Sequence, residues 1–221
     1  MITLDPRFST VEVAGERLTL LPQKAAYWPA RETLFVADLH IGKAATFRAA
    51  GAPIPPGTTT ETLAQLSEAI KAAESKRLVV LGDLFHARPG RESHRTMDVL
   101  RSWREQWPDV RVQVVRGNHD RHAGDAPNDL GFEPVEEPFP DGPFLLKHFP
   151  DPEPGGYVLA GHLHPAVQLR GGGERLRLPC FFFGEEVGIL PSFGALTGSA
   201  TVRPVAGDRV FVVADGEVLE V

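Results

Sequence analysis

The amino-acid sequence predicts an α/β fold in which a second β-sheet packs on the first. Three observations carry that prediction. Strand-like apolar runs alternate with two helix-period segments over the first half of the chain. After residue 107 the helical periodicity stops, and short apolar runs separated by turn residues take over. The 221 residues, 42% hydrophobic and 24% charged, have ordinary globular composition and suffice to bury a core without covalent staples.

In chain order, "RLTLLP" (17–22), "TLFVAD" (33–38), "RLVVLGD" (77–83) and "VRVQVVRGN" (110–118) read as strands. Between them, "TTTETLAQLSEAIKAAE" (58–74) sets Leu63, Leu66, Ala69, Ile70 and Ala73 at helical spacing, with Thr58 and Glu61 spaced as a capping box. "RESHRTMDVLRSWREQW" (91–107) sets Met97, Leu100, Trp103 and Trp107 on one stripe, and Pro108 ends it. The second half offers "FLLKH" (144–148), "YVLAGHLH" (157–164), "AVQLR" (166–170), "LRLPCFFF" (176–183) and "RVFVVADGEVLEV" (209–221) as strands. Asp215-Gly216 marks a hairpin turn in the last of these. "GAPIPPG" (51–57) and "PDPEPGG" (150–156) are short enough to be loops, so one domain over 1–221 is expected.

Composition narrows the function. The one cysteine, Cys180, sits in an apolar run and reads as a buried thiol; no internal disulfide is possible, which points to a reducing compartment. The N-terminal stretch lacks the pattern of a signal peptide, and no apolar run nears the roughly 20 residues a membrane span needs. A soluble cytoplasmic protein with no membrane partner is expected. The net charge of −6 argues against a protein that coats nucleic acid, but leaves room for a local cationic site.

The polar residues that end the apolar runs form a constellation. Asp38 and His40 follow one strand, Asp83 (with His86 nearby) a second, Asn118 and His119 a third, His148 a fourth, and His162 and His164 a fifth. Ligands bind at the carboxyl ends of strands in open α/β sheets, where loops converge. Alternation along an extended strand would point each doublet, Asp38 with His40 and His162 with His164, at one site. Carboxylates and imidazoles without thiolates suit Mn, Fe, Zn or Co. Six or seven such ligands are too many for one ion; two ions about 3.5–4 Å apart would use them, with Asp83 as the natural bridge.

The ordered set D-x-H, G-D, G-N-H-D, H and G-H-x-H, from Asp38 to His164, resembles the calcineurin-like metallophosphoesterase superfamily. The flanks "ADLHIGKAATFRAAGAPIPPGTT", "GDLFHARPGR", "VRGNHDRHAGDAP", "GYVLAGHLHP" and "LRLPCFFFG" make most of the chain similar to the bacterial ligase-associated DNA-damage-response endonucleases, the PdeM family. The resemblance implies two mixed sheets packed face to face with helices outside, the four-layer αββα sandwich. It implies one metal on Asp38, His40, Asp83 and His164, and another on Asp83, Asn118, His148 and His162, manganese first among the candidates. It implies hydrolysis of phosphodiester bonds, in DNA by family likeness, with DNA ligase or helicase repair partners suggested by the family name alone.

Physical chemistry supports those borrowed roles. A hydroxide held between two cations forms near neutral pH and can attack phosphorus in line. His119 is placed to give a proton to the departing oxygen, with Asp120 as its orienting partner. His86 stays open between touching substrate and packing under the site, and His122 reads as an exposed loop residue. Lys43, Arg48, Arg88, Arg91, Arg116 and Arg121 follow the motifs and could hold flanking phosphates; His86, Arg88, Lys43 and Arg121 are the substrate-contact candidates. No aromatic stacking platform is evident. A small-molecule phosphodiesterase or a phosphomonoesterase shares this metal core, whereas a non-catalytic scaffold would show eroded ligands, and every ligand position here is filled.

Overall fold

The computed structural model describes residues 6–171 and 174–221. Its first sheet runs in chain order through β1 (Ser9–Val13), β2 (Glu16–Leu21), β3 (Ala25–Trp28), β4 (Thr33–Val36), β5 (Arg77–Leu81), β6 (Arg111–Val115) and β7 (Phe132–Val135). The pairings from β1 to β4 are antiparallel hairpins; those from β4 to β7 are parallel. Parallel neighbours need crossover connections, and these carry the helices. α1 (Lys43–Ala49) and α2 (Thr58–Ala73) link β4 to β5, α3 (Arg88–Arg91) and α4 (His94–Glu105) link β5 to β6, and α5 (Asn118–Ala123) links β6 to β7. Strands covered on both faces read as continuous apolar runs: all of β4, and all but the first residue of β5 and β6, are buried.

The second sheet is built from short strands: β8 (Phe139–Asp141), β9 (Phe144–Leu146), β10 (Tyr157–Ala160), β11 (Pro165–Gly171), β12 (Glu174–Phe183), β13 (Val187–Ile189), β14 (Ala200–Thr201), β15 (Arg209–Ala214) and β16 (Glu217–Glu220). Its order is β14-β11-β12-β13-β10-β9-β8, with β15 and β16 extending from β12. It too is mixed: β9, β10 and β13 pair parallel, and β11, β12, β13, β15 and β16 pair antiparallel. Asp215 and Gly216 join β15 to β16 as the hairpin turn the sequence predicts.

The two sheets close on a core that includes Leu18, Trp28, Phe35, Val79 and Leu81 from the first and Phe144, Leu159, Phe181, Phe183 and Phe211 from the second. Trp28 and Phe144 meet edge to face with ring centroids 4.9 Å apart. Period-two alternation sorts the phenylalanine run: Phe181 and Phe183 face this core, while Phe182 lies on the opposite face with Cys180. Burial pushes the Cys180 thiol up to about 12, so it is inert as expected. On the other face of the first sheet, Leu63, Leu66 and Ile70 of α2 and Leu100 and Trp103 of α4 pack on Leu34, Val36, Leu78 and Val112. Trp103 and Trp107 both donate to Ser67 Oγ at 3.1 Å.

Two mixed sheets with flanking helices are thus observed. Among the described residues every α-helix lies before residue 124, and none is long and apolar enough to cross a membrane. Three local expectations change. The Thr58–Glu61 capping box does not form; Gly57 is the N-cap and accepts from Glu61 N through its carbonyl at 2.9 Å. The second predicted helix splits into α3 and α4, the latter capped by Ser93. A further helix does follow residue 107: α5 begins at Asn118, so G-N-H-D opens a helix and is not a loop.

Candidate metal centre

The carboxyl ends of β4, β5, β6, β9 and β10 meet where the sheets abut, and the seven predicted ligands gather there. The doublets do so by a route other than strand alternation. β4 ends at Val36 and β10 at Ala160, before the ligands begin. Asp38 (φ 54), His40 (φ 48), Asp83 (φ 54), His162 (φ 66) and His164 (φ 49) are all left-handed. Asp and His tolerate that region better than most residues, yet such positions cost about 1–3 kcal/mol each and persist only where the surroundings fix them. Here the backbone ties are dense. Asp38 N donates to Gly82 O at 3.2 Å, His40 N to Asp83 O at 2.9 Å, Gly194 N to Asp38 O at 3.1 Å and His162 N to Asp38 Oδ2 at 2.9 Å. Two motif glycines are explained by close approach: a Cβ on Gly117 would lie 2.2 Å from Asp83 Oδ1, and one on Gly161 2.6 Å from Asp38 Oδ2.

The donor atoms converge. His164 Nε2 lies 3.6 Å from Asp38 Oδ1, and His40 Nε2 lies 3.8 Å from Asp83 Oδ2. His148 Nε2 lies 3.6 Å from Asp83 Oδ2, 2.9 Å from Asn118 Oδ1 and 3.1 Å from His162 Nδ1. Carbonyls only accept, so the bonds from His148 Nδ1 to Leu81 O (3.2 Å) and from His164 Nδ1 to Gly198 O (2.9 Å) put the ring protons outside and turn both Nε2 lone pairs inward. Asp38, His40 and His164, and likewise Asp38, Asp83 and His148, form groups compact enough to hold a metal ion.

The electrostatics ask for cations. Asp38 Oδ1 and His40 Nδ1 are buried without a hydrogen-bond partner. Burial, together with the Asp38 charge, pushes Asp83 up to about 8. Burial, reinforced by the Lys43 charge, pulls His40 down to about 2, and burial lowers His148 as well, so both rings are neutral donors. Two buried carboxylates beside the neutral His40 and His148 rings form a site that divalent ions would satisfy.

His119 stands with His40 and His86 in a third group compact enough to hold a metal ion. Its backbone N donates to Asp83 Oδ1 at 2.9 Å, and its Nδ1 donates to His86 O at 2.5 Å. The opposite nitrogen, Nε2, lies 4.0 Å from Asp83 Oδ2 on a side chain that is 37% exposed. Asp120, expected to orient this ring, does something else. It is buried, and its carboxylate accepts from Phe85 N at 3.1 Å and from Gly117 N at 3.0 Å, stapling α5 to the loop after β5. His86 supplies the orienting carbonyl, and its ring stacks on His119 at 4.9 Å and meets Phe47 at 5.6 Å. His122 donates from Nδ1 to Asn118 O at 2.7 Å, an exposed contact within α5.

The predicted phosphate clamps divide. Lys43 opens α1 close enough to Asp83 and Asp38 for their charges to act on it. Arg88 is exposed at the start of α3. Arg121 pairs with Glu136 at 3.0 Å, and Arg116 with Asp125 at 2.7 Å and Glu136 at 2.6 Å. Arg91 donates to Asp125 O, and Arg48 to Ile54 O and Pro55 O. Two aromatics border the site where the sequence showed none. Phe47 lies beside His86, and Phe149 lies 4.5 Å from the His162 ring. Phe149 directly follows His148, a signal that was available.

This fold and donor cluster define a metallophosphoesterase. The calcineurin-like phosphoesterase family model matches residues 32–164, more than half of the chain. The chain belongs to that family and is a phosphate-ester hydrolase. It is similar to the nuclease MPE of Pseudomonas putida, with 42% identity over 97% of this chain and 100% of that one, at a TM-score of 0.86. Two remoter structures bear no weight here. The Escherichia coli phosphoesterase Yfce is 16% identical over 86% of this chain and 97% of its own, at a TM-score of 0.43. Entamoeba histolytica Vps29 complexed with zinc is 15% identical over 86% and 96%, at 0.35. Among curated proteins none matches significantly.

Proposed function

We propose that this chain is a single-domain, two-metal phosphodiesterase that cuts DNA, acting as a nuclease in DNA repair in the cytoplasm. The convergence of Asp38, Asp83 and their imidazole partners on one point, with a buried carboxylate oxygen left unpartnered, carries the reading. The 42% identity to a nuclease over nearly the whole chain supports the substrate class. The ligase and helicase partners rest on family likeness alone.

One metal would sit on Asp38, His40, Asp83 and His164, and the other on Asp83, Asn118, His148 and His162. The oxygen and imidazole set suits manganese, iron, zinc or cobalt, and family likeness puts manganese first. Such ions neutralise phosphoryl oxygens and make a bound water acidic enough to ionise near neutral pH. The protein's own groups do the rest. The His86 carbonyl holds Nδ1–H of His119 and turns Nε2 toward the centre, where the imidazolium form of the ring would give its Nε2 proton to the departing oxygen and be left as the neutral Nδ1–H tautomer. Lys43 adds positive charge at the mouth, drawing an anionic backbone inward.

The test is hydrolysis of bis-p-nitrophenyl phosphate, p-nitrophenyl phosphate and a DNA oligonucleotide, each with Mn²⁺ and with chelator. Metal-dependent cleavage of both diesters with little monoester turnover is expected. Preferred monoester turnover would make the protein a phosphatase instead.

A further inference from the structure

The cations near the metal centre are of two kinds. Arg116 and Arg121 are answered by Asp125 and Glu136. Lys24 and Arg177 are not. Lys24 Nζ donates to Ser192 O at 3.3 Å and Arg177 donates to Ser199 O, and among the described residues neither has a carboxylate partner. Both line one groove of about 210 Å³ that shares His164 with the metal centre. Ser192, Thr197 and Ser199 contribute hydroxyls to its wall, and no carboxylate lines it. In a chain of net charge −6, two cations and no acid around one groove is the reverse of the average surface. Burial without a counter-charge pulls the Lys24 ammonium below its usual pKa, a cost that an anion seated beside it would offset.

The groove is wired to the metal centre. Ser192 Oγ donates to Asp38 O at 3.1 Å, and the carbonyl of the same serine holds Lys24. His164 donates from Nδ1 to Gly198 O in the groove wall while its Nε2 faces Asp38. One imidazole therefore borders both places.

We infer that the groove between Lys24 and Arg177 binds a second phosphate group, beside the one that is hydrolysed. Two charge-assisted contacts in one groove suit a phosphate, and the nearest source is the next phosphate of the same strand. That source rests on the nuclease reading; the phosphate chemistry does not.

Equilibrium binding separates the two claims, because it needs no turnover. Metal-loaded wild type is expected to bind thymidine 3′,5′-bisphosphate about tenfold more tightly than thymidine 5′-monophosphate, a preference of the size one good ionic contact provides. In Lys24→Gln and in the exposed Arg177→Gln, each with metal content and Tm checked, that ratio should fall toward one. On an oligonucleotide, each variant should flatten the dependence of log(kcat/KM) on log salt by about one unit. Inorganic phosphate that raises the Tm of wild type more than that of the variants, with no bisphosphate preference, would support the groove with the free anion as its ligand. A wild type that prefers the bisphosphate but cuts no oligonucleotide would overturn the nuclease reading and leave the groove standing. Equal affinities of wild type and variants for all three phosphates would overturn the groove.

Discussion

The two sheets contribute unlike halves of the centre. The first supplies both carboxylates, Asp38 and Asp83, together with His40, Asn118 and His119; the second supplies imidazoles alone, His148, His162 and His164. Burial does not follow the same division: Asp38, His40 and Asp83 of the first half and His148 of the second are at most 4% exposed, whereas Asn118, His119, His162 and His164 are half-buried. Both carboxylates are thus held by the parallel half of the first sheet, and the second sheet would close a metal's coordination over them. Apolar packing between Trp28, Phe35, Phe144 and Phe181 brings the halves together, so binding chemistry depends on core packing some distance away.

This division orders the expected effects. Asp83→Asn removes one of the two carboxylates of the centre; metal content should fall and diester hydrolysis should drop by well over the roughly 100-fold typical of outer-shell changes. His162→Ala removes one imidazole from the half that holds no carboxylate and should lose less metal; equal losses from the two variants would break the comparison. His119→Ala should keep its metal and lose about 10²–10⁴ in rate on the oligonucleotide. Loss of metal content in that variant would mean that His119 is a ligand.

Asp120→Ala tests the staple. Two buried backbone N–H groups, of Phe85 and Gly117, would lose their acceptor, at about 1–3 kcal/mol each. Thermal unfolding should show that loss, and a normal Tm would contradict the stapling role. The smallest effect lies away from the centre. The Arg116 hydrogen bond holds Asp125 below its ordinary 3.8. A carboxylate depressed in the folded state contributes fully above its unfolded pKa, and its contribution is lost as pH falls through the folded value. Arg116→Gln should therefore be less stable than wild type near neutral pH, with the difference shrinking below about pH 4 as measured by denaturant midpoints.

Much of this was legible in the sequence, for definite reasons. The long strands and α2 declare themselves through apolar periodicity, and the ligands through their place after apolar runs. What stayed hidden depends on contacts distant in sequence or on backbone handedness. Nothing in "ADLH" reveals that Asp38 and His40 reach one site by two left-handed residues and not by an extended strand. Asp120 follows His119 directly, which suggested a partnership, but neighbours on a helix do not face each other. The ion pairs that occupy Arg116 and Arg121 involve Glu136, well along the chain, and Lys24 and Arg177 lie 153 positions apart without a motif between them.

The most direct measurement is the number of Mn²⁺ ions bound per chain, by titration of the metal-free protein, in wild type and in His119→Ala. The account predicts two in each, with hydrolysis of the oligonucleotide about 10²–10⁴ slower in His119→Ala. One ion in wild type, or one fewer in His119→Ala, would contradict a shared two-metal centre with His119 reserved for the leaving group.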